Sequence, residues 1–227
     1  MTSTIALFDL DGTLSSGRIW EGFLKYYLVH KHKKKTAWIL AFWAEHLPLW
    51  WLKKCKLISE EKFRSKWIED LCGMFKEVSR EEVLQFFHWI SDNYVFTSLR
   101  SDIVDILNQH KQSGRMIVIV SAAFNELLEI VGQELGIATV IGTKLEVIDG
   151  TYTGKIIKPA CFGRNKVKLV EEFISQNGLE IDLSSSFAYA DSFSDIPLLK
   201  LVGNPVATYP DRALRQFAQD NNWQILS

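Results

Sequence analysis

The segment Ile5–Leu14, IALFDLDGTL, is the clearest indication of fold class in the chain. Its short apolar run is typical of a buried strand, which ends in Asp9, Asp11 and a Gly-Thr turn. Because side chains alternate along a strand, Asp9 and Asp11 leave its carboxyl end on the same side. Open α/β sheets bind ligands at that end. Paired carboxylates repel each other, and a divalent cation relieves the repulsion; a strand followed by an ordinary acidic turn is the alternative.

Composition sets limits on the class of protein. The chain has 227 residues, a formal net charge of −1 and 47% hydrophobic residues, which suits one large domain or a domain with a sizeable insert. A near-neutral charge without a basic groove motif predicts no nucleic-acid partner. Cys55, Cys72 and Cys161 have no CxxC spacing, which favours reduced thiols in a cytoplasmic protein. We expect no signal peptide, because residues 1–4 lead straight into the first strand.

From about residue 100 onwards, short apolar runs alternate with helical periods. This pattern predicts strands at residues 116–120, 139–141, 186–190 and 206–208, with helices between them, and a β-hairpin that turns at Asp149-Gly150. Strands that alternate with helices indicate βαβ units. The predicted fold is therefore α/β, a Rossmann-like parallel sheet with helices on both faces.

Residues 15–95 break that alternation. They contain no convincing strand and predict helices over residues 18–30, 36–51, 60–73 and 80–93, the last with a capping box formed by Ser79 and Glu82. We therefore divide the chain into a core domain, residues 1–14 and 96–227, and an inserted all-helical cap domain, residues 15–95. Such an insert would lie over the carboxyl ends of the strands.

Two polar residues follow or begin predicted elements in the core. Ser121 follows the strand 116–120 and precedes a predicted helix, so it suits either an anion site or an ordinary helix cap. Lys166 falls in the first turn of a predicted helix, where a cation favours an anionic partner, although a solvated lysine is equally compatible.

A second acidic cluster, Asp191 and Asp195, follows the strand 186–190. Asp191 would lie beside Asp9 if their two strands are neighbours. Helix capping would explain one of these aspartates more easily than both.

These motifs, in the order Asp-x-Asp-Gly-Thr-Leu, strand-Ser, Lys and Asp-Ser-x-x-Asp, resemble the haloacid dehalogenase superfamily of phosphotransferases. The helical insert after the first motif is similar to the branch that contains phosphoserine phosphatases. Residues 150–154, 161–166 and 191–199 resemble the subfamily IB bacterial hydrolases, and the resemblance covers nearly the whole chain.

The resemblance implies a Mg²⁺-dependent phosphatase that hydrolyses a phosphomonoester. Asp9 would be the nucleophile that forms an aspartyl-phosphate, and Asp11 would be the general acid and base. The metal ligands would be Asp9, the backbone carbonyl of Asp11, and Asp191, with Asp195 supporting the ion directly or through water.

The same resemblance implies a phosphate-binding set. Ser121 and Lys166 would be catalytic residues that bind phosphoryl oxygens and neutralise charge during transfer, and Ala122 would share in substrate binding.

Other functions remain open at this stage. A dehalogenase is disfavoured, because a chloride leaving group needs no proton from Asp11. A phosphomutase and a catalytically silent binding module on the same fold are the remaining alternatives.

The substrate could be a small-molecule or a lipid phosphate, and phosphoserine phosphatase is the specific alternative. Phosphoserine phosphatases carry an acidic residue where this chain has Arg18, and Asn where it has Ser194. Glu21 and Arg64 lie nearby but out of register with that family's substrate-binding pair.

Residues 31–56 combine tryptophans with flanking lysines and are too short and interrupted for a transmembrane helix. This composition suits either peripheral contact with an anionic membrane or a cap helix that packs against its neighbours. The predicted location is cytoplasmic, and the protein would also be membrane-associated if residues 31–56 contact an anionic membrane.

Overall fold

The computed structural model describes residues 3–17, 19–55 and 57–227. The strands are β1 Ile5–Phe8, β2 Val78–Ser79, β3 Met116–Phe124, β4 Thr139–Ile148, β5 Thr151–Ile157, β6 Phe187–Ala190, β7 Asn204–Thr208 and β8 Gln224–Leu226. The α-helices are α1 Ile19–Val29, α2 Lys33–Lys54, α3 Glu60–Leu71, α4 Arg80–Ile90, α5 Ser101–Gln112, α6 Asn125–Glu134, α7 Arg164–Gln176, α8 Ile196–Leu199 and α9 Arg212–Asp220.

The strands form one sheet in the order β2-β5-β4-β3-β1-β6-β7-β8. From β4 to β8 every neighbouring pair is parallel, whereas β5 pairs antiparallel with β4, and β2 antiparallel with β5. The predicted α/β class and the hairpin turn at Asp149-Gly150 are confirmed. The sheet is nevertheless mixed, because the hairpin adds an antiparallel edge. Strand β8 was not predicted, since its three residues carry too little pattern.

Both faces of the sheet are covered by helices. Alternation along β1 sends Ala6 and Phe8 to the core beneath α1 and α4–α6, and Ile5 and Leu7 to the core beneath α7–α9. All four side chains are fully buried. A strand buried on both faces is typically apolar throughout, which explains the uninterrupted IALF run.

The segment between β1 and α5 is mainly helical, as predicted, with one exception. Val78–Ser79 forms β2 and pairs with Tyr152 and Thr151 of β5, so this part of the insert extends the main sheet. The predicted capping box is present: the Ser79 Oγ accepts from the Glu82 N–H while the Glu82 carboxylate accepts from the Ser79 N–H. Arg18, where the first insert helix was predicted to begin, lies outside the described residues. The division into two domains stays a prediction.

Helix α2 contains most of the segment that suits either peripheral membrane contact or packing within the cap. One face is buried through Ile39, Phe42 and His46. The exposed side carries large apolar residues at helical spacing: Leu40, Trp43, Leu47, Trp50 and Trp51. Among the described residues, no helix has both the length and the hydropathy to cross a membrane. Lys56 lies outside the described residues, and membrane contact by residues 31–56 stays a prediction.

Candidate active site

The sheet order brings the predicted motifs to adjacent strands. Strand β1 lies between β3 and β6, and all three run parallel, so their carboxyl ends share one edge. The Asp9 N–H donates to the Tyr189 carbonyl at 3.0 Å, which carries the β1–β6 ladder one residue past the strand. Asp191 therefore follows its strand beside Asp9, as the sequence predicted on the condition that these strands are neighbours.

Three carboxylates meet at this edge. Asp9, Asp191 and Asp195 each offer an oxygen within 4.8 Å of the others. The Lys166 Nζ lies 3.0 Å from the Asp9 Oδ1 and 2.7 Å from the Asp195 Oδ1. Lys166 is only 2% exposed, so the solvated-lysine interpretation is excluded. A lysine was predicted at the first turn of α7, but its two carboxylate partners could not be derived from local pattern.

Burial and mutual repulsion perturb the pKa values of these groups. Burial first, and then the Asp9 charge, raise the pKa of Asp191. Burial also raises the pKa of Asp195, although Lys166 opposes this. For Lys166, burial alone would lower the pKa, but Asp195 and Asp9 outweigh it and raise the pKa above the usual range. Burial and repulsion thus disfavour full ionisation of Asp191 and Asp195, whereas Lys166 is protonated.

Gly12 allows the close approach of Asp191, a requirement that the sequence analysis did not identify. Its φ is +83°, and a Cβ at this position would lie 2.2 Å from the Asp191 Oδ2. No other residue type fits there without displacing the carboxylate. The neighbouring Thr13 Oγ1 donates to the Asp191 Oδ1 at 3.5 Å. The Gly-Thr turn of the first motif was the sequence feature that could have indicated this requirement for glycine.

Asp11 lies in the same cavity but apart from the three-carboxylate cluster. Its Oδ1 is buried, with no hydrogen-bond partner in the part of the chain that the structure describes. Burial first, and then the charges of Asp9 and Asp191, raise its pKa well above the usual value. A carboxyl group in this environment is favoured in its protonated form.

Ser121 and Ala122 line the same cavity as Asp9 and Lys166. Strand β3 continues past Val120 to Phe124, with a register shift against β4 over these residues. Helix α6 begins only at Asn125, with Phe124 as its N-cap, so the helix-cap interpretation of Ser121 is wrong. The Ser121 Oγ instead accepts from the Ala123 N–H at 3.4 Å within the irregular strand end.

The loop with Asp191 and Asp195 is held by Asp211, the N-cap of α9. The Asp211 Oδ2 accepts from the Phe193 N–H at 2.9 Å, and the Asp211 N–H donates to the Asp191 carbonyl at 2.8 Å. These contacts fix the turn that presents both acidic residues. Asp211 was not singled out in the sequence, because an N-cap aspartate is common.

The site opens into a cavity of ≈ 640 Å³ whose outer walls come from α1, α2 and α3. The insert contributes aromatic and charged side chains that the sequence analysis did not assign to the site as a group: Trp20, Trp50, Lys53, Glu60, Phe63 and Trp67. Glu21 and Arg64, out of register in the sequence comparison, also line this cavity.

The side chains present fit a divalent cation. Carboxylate oxygens are the ligands that Mg²⁺ prefers, and three of them converge here. The glycine at position 12, required by the Asp191 carboxylate, is a second indication that the oxygens are held in place. When all three carboxylates are ionised, one lysine leaves them short of two positive charges, which a divalent ion would supply.

The fold and the site together define an α/β protein whose acidic centre lies at the carboxyl edge of its sheet. The chain belongs to the haloacid dehalogenase-like hydrolase family, whose model matches residues 6–200. A probable phosphatase of Mycobacterium tuberculosis is 28% identical over 224 residues, covering 99% of this chain and 75% of that protein. The protein is accordingly a phosphatase, a phosphoric monoester hydrolase.

Two solved structures support the fold. A protein with unknown function from Bordetella pertussis Tohama I superposes with a TM-score of 0.84 at 25% identity, covering 100% of this chain and 99% of that one. A phospho-aspartyl intermediate analogue of phosphoserine phosphatase gives a TM-score of 0.64 at 18% identity, covering 100% and 93%. At that identity, the second likeness supports the fold alone.

Proposed function

We propose that the protein hydrolyses a phosphomonoester with Mg²⁺, through an aspartyl-phosphate formed on Asp9. The observation that carries this proposal is the Asp9 carboxylate itself. It lines the cavity, is 5% exposed, and has one oxygen on the buried Lys166 ammonium. A carboxylate so oriented, with a cation beside it, is suited to attack phosphorus, because the cation offsets the approach of two anions.

The reaction has two steps. In the first, an Asp9 oxygen bonds to phosphorus, the bond to the leaving oxygen breaks, and Asp11 gives that oxygen its proton. In the second, water attacks the phosphorus, Asp11 takes the water proton, and phosphate leaves Asp9. Ser121 and Lys166 bind phosphoryl oxygens, and Ala122, which lines the same cavity, shares in substrate binding. The Asp11 Oδ1 supports the acid and base role of Asp11, because no group among the described residues hydrogen-bonds to it.

We assign Mg²⁺ to Asp9, Asp191 and the backbone carbonyl of Asp11, with Asp195 supporting the ion. When bound, the ion neutralises charge that develops on the transferring phosphoryl group. The cap, residues 15–95, would provide the walls of the substrate cavity, and the core, residues 1–14 and 96–227, the chemistry.

Asp9→Asn tests the nucleophile. We expect phosphate release from p-nitrophenyl phosphate in Mg²⁺ to fall below detection, while circular dichroism and the melting temperature stay near those of the wild type. Asp105→Asn, an exposed aspartate on α5, is the matched control and should retain full activity. Chelation with EDTA should abolish wild-type activity, and added Mg²⁺ should restore it.

Two results would contradict the proposal. Turnover by Asp9→Asn at a wild-type rate would exclude Asp9 as nucleophile. Absence of phosphate release by the folded wild type from every monoester tried, with Mg²⁺ present, would favour the catalytically silent binding module.

Phosphoserine phosphatase remains a second candidate on one observation: Glu21 and Arg64, an acid and a base, both line the cavity. Such a pair suits the ammonium and carboxylate of an amino acid. A kcat/KM for phosphoserine well above that for other small monoesters, lost in Arg64→Met, would favour this substrate.

A further inference from the structure

The cavity above the acidic cluster has aromatic walls. Trp20 of α1, Trp50 of α2 and the α3 pair Phe63 and Trp67 face it from the insert, and Phe162 faces it from the loop before α7. The base of the cavity holds the reacting groups, Asp9 and Lys166. A ligand with its phosphate at the base therefore has its leaving group among these rings.

The walls are held by packing within the insert. The Trp20 and Trp67 rings make an edge-to-face contact with centroids 4.9 Å apart, and Trp67 packs on Phe42 at 5.5 Å. Trp50 is held differently: the Lys54 Nζ lies 3.9 Å from its ring centroid. Rings fixed in this way form an apolar surface before any ligand arrives, so little ordering cost is added on binding.

The charged groups at the outer end largely satisfy one another. The Lys53 Nζ lies 2.9 Å from the Glu60 Oε1, and the Arg64 Nε lies 3.7 Å from the same oxygen. With Glu21, which also lines the cavity, these groups are two acidic and two basic side chains, so their charges cancel in sum. Among the described residues, apolar contact is thus the main interaction that the outer cavity offers to a leaving group.

We propose that the substrates are phosphomonoesters whose leaving group carries a bulky apolar body, which packs against Trp20, Trp50 and Trp67. This inference rests on the proposed function and names its substrate class. The volume of ≈ 640 Å³ is in the range of about 300–1,000 Å³ found for pockets that enclose larger organic ligands. A small polar leaving group would leave the aromatic wall in contact with water and gain nothing from it.

The apolar body could be an aromatic ring system or an alkyl chain, and two matched series of substrates distinguish these possibilities. Ethyl, butyl and octyl phosphate differ in chain length with closely similar leaving-group chemistry, and phenyl and 1-naphthyl phosphate do the same for rings. Phosphate release in Mg²⁺ is measured for each, with octyl phosphate kept below its micelle concentration. We expect kcat/KM to rise by at least about tenfold from the smallest to the largest member of at least one series. The series that rises identifies the body as chain or ring.

Trp50→Ala and Trp43→Ala form a matched pair, because both tryptophans are similarly exposed on α2 but only Trp50 of the two lines the cavity. Trp50→Ala should reduce the preference for the larger substrate by about tenfold, through KM more than kcat. Trp43→Ala should keep the wild-type preference. Melting temperatures establish whether both variants are folded. If Trp50→Ala is unfolded, the substrate series measured on the wild type still tests the inference.

Equal kcat/KM along both series in the wild type would overturn the inference, with the phosphatase proposal intact. So would an equal loss of preference in Trp43→Ala and Trp50→Ala, since the exposed face of α2 and not the cavity would then select the substrate. Absence of phosphate release from every member, including p-nitrophenyl phosphate, would instead refute the proposed function.

Discussion

Lys166→Met is the most direct test of the charge balance in the site. The substitution keeps the length of the side chain but removes the buried ammonium that lies 3.0 Å from the Asp9 Oδ1 and 2.7 Å from the Asp195 Oδ1. Three carboxylates, Asp9, Asp191 and Asp195, would then lie close together without a cation against them among the described residues.

The magnitude follows from the cost of an uncompensated buried charge. Removing one partner of a buried ion pair costs about 3–5 kcal/mol in the free energy of unfolding. For a chain of this size, each kcal/mol lowers the melting temperature by about 2–4 °C, so the metal-free variant should melt about 6–20 °C below the wild type. A divalent cation should recover part of that loss, by about 2.7 kcal/mol at a hundred times its Kd.

The assay is thermal unfolding followed by circular dichroism, first in EDTA and then across a Mg²⁺ titration. Lys168→Met is the matched control, because Lys168 lies on the same helix with its side chain 60% exposed and pairs only at the surface with Glu172. The control should melt within about 2 °C of the wild type. If Lys166→Met in EDTA melts no lower than Lys168→Met, Lys166 is not needed as counter-ion and the electrostatic account of the site is wrong.

Three further outcomes are expected. Asp11→Asn should slow the hydrolysis of ethyl phosphate by about a hundredfold or more, and that of p-nitrophenyl phosphate far less, because nitrophenolate leaves without a proton. Equal losses for the two substrates in steady-state assays would refute the general-acid role. Ser79→Ala removes the capping box of α4 and should cost about 1 kcal/mol, seen as a melting temperature about 2–4 °C lower; an unchanged melting temperature would show that the cap adds no stability. Burial first, and then Arg115, lower the pKa of His110 to about 4. Below pH 6.5 the unfolded chain therefore takes up a proton on this residue that the native protein does not. The free energy of unfolding present above pH 6.5 should fall by about 2 kcal/mol by pH 5. Denaturant unfolding of His110→Gln should lack that component, and an identical pH dependence in both proteins would contradict it.

The local pattern was sufficient for most of the helices and strands, β2 and β8 excepted, and for the residue types at the site. An apolar run before Asp9 and another before Asp191 predicted strands, because burial on both faces leaves no polar alternation. The capping box at Ser79 and Glu82 and the turn at Asp149-Gly150 were also predicted, since each depends on residues within a few positions. The insert was correctly described as helical, except for β2, whose two residues form a strand only through pairing with β5.

Long-range pairing decided the rest. The position of β1 between β3 and β6, which brings Asp9 beside Asp191, depends on hydrogen bonds between segments that are far apart in the chain. Lys166 was compatible with solvent until the structure placed it between two carboxylates. Likewise, Trp50 and Trp51 are indistinguishable in sequence, and only the packing of α2 against α3 places Trp50, and not Trp51, in the lining of the cavity. Local propensities specify a helix and its apolar residues, but which of those residues meets a ligand is fixed by contacts that no single segment encodes.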